Sequence, residues 1–284
     1  MKHKNLYPLV FLCLAALTAS AQDNYLAAKS YFLHKGDKLD MYLLGGDQFK
    51  DVEEYKYDAS KTKKFMLYDD GKKINLMTAA KDSAAPVLTY TMNNPGLSMV
   101  EMIRDIPATA IDREQYAQYL TNEGLTKLAE TVNNSNQSRF REKKICYLKA
   151  LVMVDKATGG DFDKLTGQEY EIILKKNPYK LNYGDDLTGA LYYKGKPLKG
   201  APVDIFLKTP AGNVYPDRAT TNEKGEFSIT TTREGIYMFR SVRTVASTST
   251  DADFETIQTS FTFLFNSSND RTSDFKSFGL GDRH

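Results

Sequence analysis

The stretch Asp186-Leu187-Thr188-Gly189-Ala190-Leu191-Tyr192-Tyr193-Lys194-Gly195-Lys196-Pro197-Leu198-Lys199-Gly200-Ala201-Pro202-Val203-Asp204-Ile205-Phe206-Leu207 sets the fold class. Leu187, Gly189, Leu191 and Tyr193 alternate with Thr188, Ala190 and Tyr192, and Val203, Ile205 and Leu207 alternate with Asp204, Phe206 and Lys208. Period-two runs broken by Gly and Pro are strand, turn and strand. The rhythm extends from Asn177-Pro178-Tyr179, through the turns Pro210-Ala211-Gly212-Asn213 and Asn222-Glu223-Lys224-Gly225, to Phe227, Ile229 and Gly235-Ile236-Tyr237-Met238-Phe239. Phe261, Phe263 and Phe265 close it as a last strand. About seven short strands with turns at this spacing predict an antiparallel sandwich of immunoglobulin-like kind over 177–266.

Upstream, strands are expected at Tyr31–Leu33, Leu39–Leu44, Lys64–Tyr68, Asn75–Ala79, Val87–Met92 and Leu97–Ile103. The charged segment Asp51–Tyr57 reads as an exposed edge or a long loop. One region breaks the pattern. Asp112 is a candidate N-cap with Gln115 at the capping-box position, and Ile111 is placed to staple onto Tyr116. Tyr116, Tyr119 and Leu120 then repeat at helical spacing, and a second short helix carries Leu125, Leu128 and Ala129. That stripe reads as packed on a sheet in preference to a ligand surface. The longest strand, Glu142–Asp155, puts Cys146, Leu148, Ala150, Val152 and Val154 on one face as a core row. Tyr147, Lys149, Leu151 and Met153 take the other. Lys175-Lys176-Asn177 and Pro178 interrupt the pattern and place a boundary there. The expected architecture is all-β: two β-sandwich-like domains, 22–176 and 177–266, with a short helical insertion near 112–133 and a polar tail at 267–284.

The first 21 residues read as a secretory leader. Lys2, His3 and Lys4 precede the apolar run Leu6–Leu17, which is too short to span a bilayer, and Ala19-Ser20-Ala21 fits a cleavage site. Cys13 follows Phe11-Leu12 rather than a small residue, so it is a poor lipidation site. Cleavage would leave Gln22 first and the protein in the periplasm. The chain holds 38 Lys+Arg and 36 Asp+Glu; the leader takes Lys2 and Lys4 and no acid, which leaves 36 of each. A neutral chain without a basic run is not built for nucleic acid. One cysteine, Cys146, remains, so no internal disulfide is available and the thiol is expected in the core.

Three passages carry a resemblance: Tyr119-Leu120-Thr121-Asn122-Glu123-Gly124-Leu125, Arg141–Val154, and Asn177-Pro178-Tyr179 through Gly200-Ala201-Pro202-Val203 to Gly225. Together they resemble the exported domain-of-unknown-function family 4198, whose description borrows from the substrate-binding component of nickel uptake transporters. The resemblance implies an all-β periplasmic protein with a carboxypeptidase-regulatory-like sandwich at its C-terminal end. It also implies a metal position just after the leader, where Gln22 stands in the place of the family's His. Of the two histidines beyond the leader, His34 lies in a turn beside Lys35 and His284 is the last residue. With Cys146 in an unrelated element they do not compose a converging ligand set.

Other candidates are few. Asp185 and Asp186 form an acidic pair that could serve calcium, though turn aspartates ordinarily bond their own backbone. Tyr25, Tyr42, Tyr55 and Tyr57 could grip a glycan or peptide if exposed together. There is no phosphate loop after a strand and no nucleophile elbow, so no cofactor and no enzymatic activity are expected. The function expected is a non-enzymatic periplasmic binding or structural module with an envelope protein or glycan as partner. The alternatives are a metal-binding component of nickel or other transition-metal uptake and a carbohydrate-active envelope enzyme.

Overall fold

The computed structural model describes residues 23–267; the expected leader, Gln22, most of the tail and His284 lie outside the described residues. The N-terminal part comprises β1 (Asp23–Ala28), β2 (Phe32–Leu33), β3 (Lys38–Asp47), β4 (Lys50–Tyr55), β5 (Thr62–Asp69), β6 (Lys72–Asn75), β7 (Leu88–Thr91) and β8 (Gly96–Asp112). Two helices follow, α1 (Arg113–Asn122) and α2 (Thr126–Asn133), and then β9 (Arg139–Val154) and β10 (Tyr170–Leu174). The remainder is β11 (Asp186–Tyr193), β12 (Lys196–Pro197), β13 (Pro202–Lys208), β14 (Val214–Thr220), β15 (Glu226–Thr230), β16 (Gly235–Ala246) and β17 (Phe254–Phe265). The fold is all-β with a short helical insertion.

A nine-stranded sheet runs β14-β13-β16-β17-β9-β8-β5-β6, with β2 added beside β9. Two four-stranded sheets flank it: β1, β3, β4 and β7 in one, β10, β11, β12 and β15 in the other. They lie on opposite faces, as the side chains of β17 demonstrate. Gln258 and Ser260 bond the Asn24 carbonyl, and Thr262 bonds the Leu26 carbonyl, all on β1. Phe261 points the other way with its register partner Lys149, whose ammonium reaches Glu171 on β10. Neighbouring residues of a strand face opposite sides, so the central sheet is the middle of three layers.

This layering revises the reading of β9. Both of its faces are buried from Cys146 to Val154, not only the row containing Cys146. Lys149, on the second face, sits 1% exposed against Glu171 at 2.6 Å. Burial on both sides is also why the run is almost continuously apolar. Cys146 is a buried free thiol, and burial pushes its pKa up.

Three other expectations change. Strands cross the boundary placed at 176/177: β10 pairs with β11, and β17 pairs in parallel with β9 from Phe254↔Glu142 to Thr262↔Ala150. Pro178 interrupts the chain with a 3-10 turn (Pro178–Lys180) but does not separate the sheets. The segment Asn75–Ala79 is largely a turn after β6, because Asn75 Oδ1 accepts from the Met77 N–H and the Leu76 carbonyl accepts from Ala79 and Ala80. Asp112 stands at the N-cap of α1 without capping it; its carboxylate takes a 2.8 Å bond from Arg139 Nε on β9 instead. Ile111 and Tyr116 do share one apolar cluster with Leu120, Phe140 and Phe254, and that cluster docks the helices on the ends of β8, β9 and β17.

Candidate functional site: an acidic cleft beneath the first helix

The N-terminal sheet covers only part of its face of the central sheet. Beside it, α1, the β3–β4 turn and the strands β13, β14 and β16 enclose a cleft of about 600 Å³. Helical spacing brings Gln115, Tyr119 and Asn122 to one wall, with Tyr116, Gln118 and Glu123 beside them. Asp47 and Gln48 come from the tight turn between β3 and β4, where Gln48 and Phe49 adopt left-handed φ of 53° and 61°. Asp204 and Phe206 come from β13, Asp217 and Arg218 from β14, and Arg240 from β16.

Arg240 is the floor. Its Nε donates to Asp23 Oδ1 at 2.5 Å, and its Nη1 to Asp204 Oδ2 at 2.8 Å and Glu123 Oε2 at 3.0 Å. Nη2 donates to Glu123 Oε1 at 2.5 Å. Burial opposes the guanidinium charge, but Asp23 and Glu123 outweigh it and hold its pKa well above the ordinary value. Asp23 is itself pushed up to about 6 by burial, against the pull of Arg240 and Lys144. Arg218 Nε reaches the second oxygen of Asp204 at 2.6 Å. The Tyr119 hydroxyl is sealed from solvent and has no hydrogen-bond partner among the described residues; burial raises its pKa strongly. Tyr116 stacks on Tyr119 with ring centroids 6.0 Å apart and donates to Glu142 at 3.3 Å.

Five acidic residues line the cleft, Asp23, Asp47, Glu123, Asp204 and Asp217, beside two arginines, and the register sets Asp217 with Ile205 and Phe239 on the face of the central sheet opposite Asp204 and Arg240. Arg240 is spent on carboxylates of the wall, whereas Arg218 commits only its Nε and its side chain is 47% exposed. The surface left for a ligand therefore carries both charges and is amide-rich and partly aromatic, a combination suited to recognition.

The residues singled out from sequence lie elsewhere and apart. His34 is exposed and pairs with Asp155 at 2.9 Å, which raises its pKa; Asp37 bonds the His34 N–H. Gln22 lies outside the described residues. Among those residues no group of three or more His, Cys, Asp or Glu is arranged to hold a metal ion. Asp185 accepts from Asn182 N–H at 2.8 Å and Asp186 from Thr230 Oγ1 at 2.8 Å, so each closes its own turn or strand end and they do not converge. Tyr25 is fully buried edge-on to Phe49, and Tyr57 is buried against Phe65. Tyr42 and Tyr55 are half-buried, and Tyr55 lies over Gly45 with the Arg104 guanidinium 5.6 Å from its ring. The four tyrosines form no common exposed surface.

Of the residues lining the cleft, helical spacing marks Tyr116 and Tyr119, and it marks them as packing residues. Tyr116 does pack, and both also line the cleft. The signal available was the polar side of the same helix, Gln115, Gln118 and Asn122, lying next to that stripe.

Fold and site together define a layered all-β protein with an acidic cleft between its N-terminal sheet, helical insertion and C-terminal strands. Residues 19–244 match the family described as Domain of unknown function (DUF4198), and the chain belongs to that family. No curated protein matches it. Among solved structures it is compared with a tetra-tandem repeat in the extending region of a large adhesion protein, at 13% identity over 86% of this chain and 50% of that one, TM-score 0.23. Two others are the D0-D1 domain of intimin (11% identity, 86% and 98% covered, TM-score 0.20) and three N-terminal domains of the bacteriophage RB49 highly immunogenic outer capsid protein (11%, 86% and 59%, TM-score 0.17). The chain thus spans half the length of the adhesion-protein structure. At these scores the likenesses carry no statement of function.

Proposed function

We propose that this is a non-enzymatic binding module of the cell envelope, exported to the periplasm on residues 1–21, which takes a small polar ligand in the cleft beneath α1. The cleft carries the reading: it is a chamber of ligand size assembled from three separate parts of the chain and walled by the exposed amides of Gln115, Gln118 and Asn122 on α1. The arginine ion cluster below holds the parts in register, as a preformed site requires. Nickel uptake is the less favoured reading, because His34 and Asp155 are a solvent-exposed pair and among the described residues no group of three or more His, Cys, Asp or Glu is arranged to hold a metal ion. An envelope hydrolase is also less favoured, because the carboxylates at the cleft floor are committed to Arg240.

The test is thermal denaturation of tag-free protein against a panel of envelope glycan fragments, amino acids, amines and nickel ions, repeated on Gln118→Trp. Gln118 is exposed on α1 and lines the cleft, so an indole there fills the chamber without disturbing the core. A ligand that raises Tm in the native protein and not in the variant is the expected result. Equal shifts in both proteins, or turnover of an envelope polymer, would refute the proposal.

A further inference from the structure

Resting on the reading of the cleft as a ligand site, we infer that its ligand is an uncharged saccharide, a short glycan held through its hydroxyls. The lining sorts by what each group has left to offer. Asp23, Glu123 and Asp204 close on Arg240, so the buried charges of the floor face one another. Two charges of opposite sign remain in the open. Asp47 is exposed on the β3–β4 turn, and the half-exposed Arg218 gives only its Nε to Asp204. A single exposed charge attracts a counter-ion weakly, because water and salt screen it. A charged ligand entering the cleft would give up strong hydration for that one partner. Neither an anion nor a cation is well compensated here.

What the cleft offers in number is carboxamide. Gln115, Gln118 and Asn122 stand exposed at helical spacing on α1, and Gln48 lines the same volume from the β3–β4 turn. Gln118 Nε2 donates to Asn122 Oδ1 at 2.8 Å, which sets two of these amides in a fixed orientation and leaves the Gln118 oxygen and an Asn122 N–H for a ligand. Each amide is donor and acceptor, and so is each sugar hydroxyl. A row of hydroxyls therefore exchanges its water bonds for amide bonds with no charge desolvated. The floor supplies apolar surface for the C–H face of a sugar ring. The register Asp204↔Arg218 and Phe206↔Pro216 puts these four residues on the cleft face of the central sheet. Pro216 is exposed there, and the half-buried Tyr119 stands on the α1 wall. A free amino acid could use the same amides, but it would bring two charges out of water, each to one exposed partner.

The experiment is a glycan array on tag-free protein, with neutral and charged oligosaccharides side by side. Calorimetric titration follows with the strongest neutral glycan, its uronic-acid and amino-sugar analogues and the dipeptide alanyl-alanine. The neutral glycan should bind at least about fivefold more tightly than the charged analogues and the dipeptide, and its affinity should change less than about twofold from low to high salt. Gln115→Ala with Asn122→Ala should weaken it about tenfold, the net effect of two hydrogen bonds. Both positions are on the surface, and circular dichroism checks that the variant folds. Gln118→Trp should abolish binding. If a charged glycan or the dipeptide binds more tightly than every neutral glycan and Gln118→Trp removes it, the saccharide inference falls and the cleft reading stands. If the neutral glycan binds Gln118→Trp as tightly as the native protein, both fall. Unchanged affinity in the double variant, or no glycan bound at millimolar concentration, also overturns the saccharide inference; the panel of the preceding section then decides the cleft.

Discussion

Arg240 ties together segments that are distant in the chain. Asp23 lies 217 residues away, Glu123 lies 117 away and Asp204 lies 36 away. In sequence Arg240 merely follows the run Gly235–Phe239, and no local pattern points to its partners. Buried groups of this kind are set by three-dimensional packing, so they were illegible, whereas the alternation that carries them was plain. The cluster has a pH signature. Asp23 is faced by Arg240 from β16, Lys144 from β9 and Glu123 at the end of α1, with Tyr119 on α1 and Tyr25 on its own strand nearby. Its folded pKa of about 6 lies above the ordinary 3.8, chiefly because of burial. The folded state therefore holds the proton more tightly. Stability from this group is fully present below pH 3.8 and is lost as pH rises through 6, by up to about 3 kcal/mol. Asp23→Asn removes the titration and keeps the shape. Its stability relative to the native protein should rise between pH 4 and 6.5, as read from urea unfolding at each pH. A difference that stays flat would show that Asp23 titrates normally in the fold, and one that falls would show that its ion pairs outweigh burial.

At the scale of elements, β9 is the case where sequence reading was half right. Alternation identified both of its faces, and its turn-bounded length identified a major strand. Lys149 concealed that the second face is also core. The explanation is a polar network beneath the third layer. Glu171 accepts from Lys149, from Thr166 Oγ1 and from the N–H groups of Thr166, Gly167 and Gln168. Glu101 accepts from Tyr68, pairs with Lys64 at 2.9 Å and competes with Glu171 for the single Thr166 O–H. Burial alone depresses the Lys149 pKa, and Glu171 opposes that effect. Lys149→Met would fill the space and leave Glu171 as an uncompensated buried charge. A loss of about 3–5 kcal/mol is expected in urea unfolding. Adding Glu171→Gln should restore part of it, because the amide oxygen still accepts from the loop N–H groups and carries no charge. A loss below about 1 kcal/mol for Lys149→Met would mean that the pair contributes nothing beyond packing. Helix α1 makes the same point about sequence: spacing revealed its apolar stripe, but not that the stripe ends in a cleft, since Phe206 and Asp217 approach from strands about 90 residues on.

For the molecule as a whole, the composition shift at Lys175–Pro178 marked a change of rhythm, and that change is real. Beyond it, seven strands, β11 to β17, build the C-terminal half of the sandwich. A change of rhythm is not a change of sheet. Parallel pairing of β17 with β9 joins residues more than 100 apart, a kind of contact that turn spacing cannot reveal because no hairpin makes it. A fragment of residues 177–266 would lose β9 and β10 together. The edge of β17 would then present unpaired N–H and C=O groups from Phe254 to Thr262. On one face Gln258, Ser260 and Thr262 would lose their partners on β1; on the other Phe261 would lose the Lys149 ammonium, 5.8 Å from its ring centroid. Ile172 and Leu174, fully buried on β10, would no longer cover β11. The isolated fragment is thus expected to be aggregation-prone and without a cooperative melt, while residues 22–267 unfold in a single calorimetric transition whose van't Hoff and calorimetric enthalpies agree. A fragment that melts cooperatively, with a second transition of matching temperature in the longer chain, would show instead that the two halves are independent domains and that the β9–β17 seam is a docking contact.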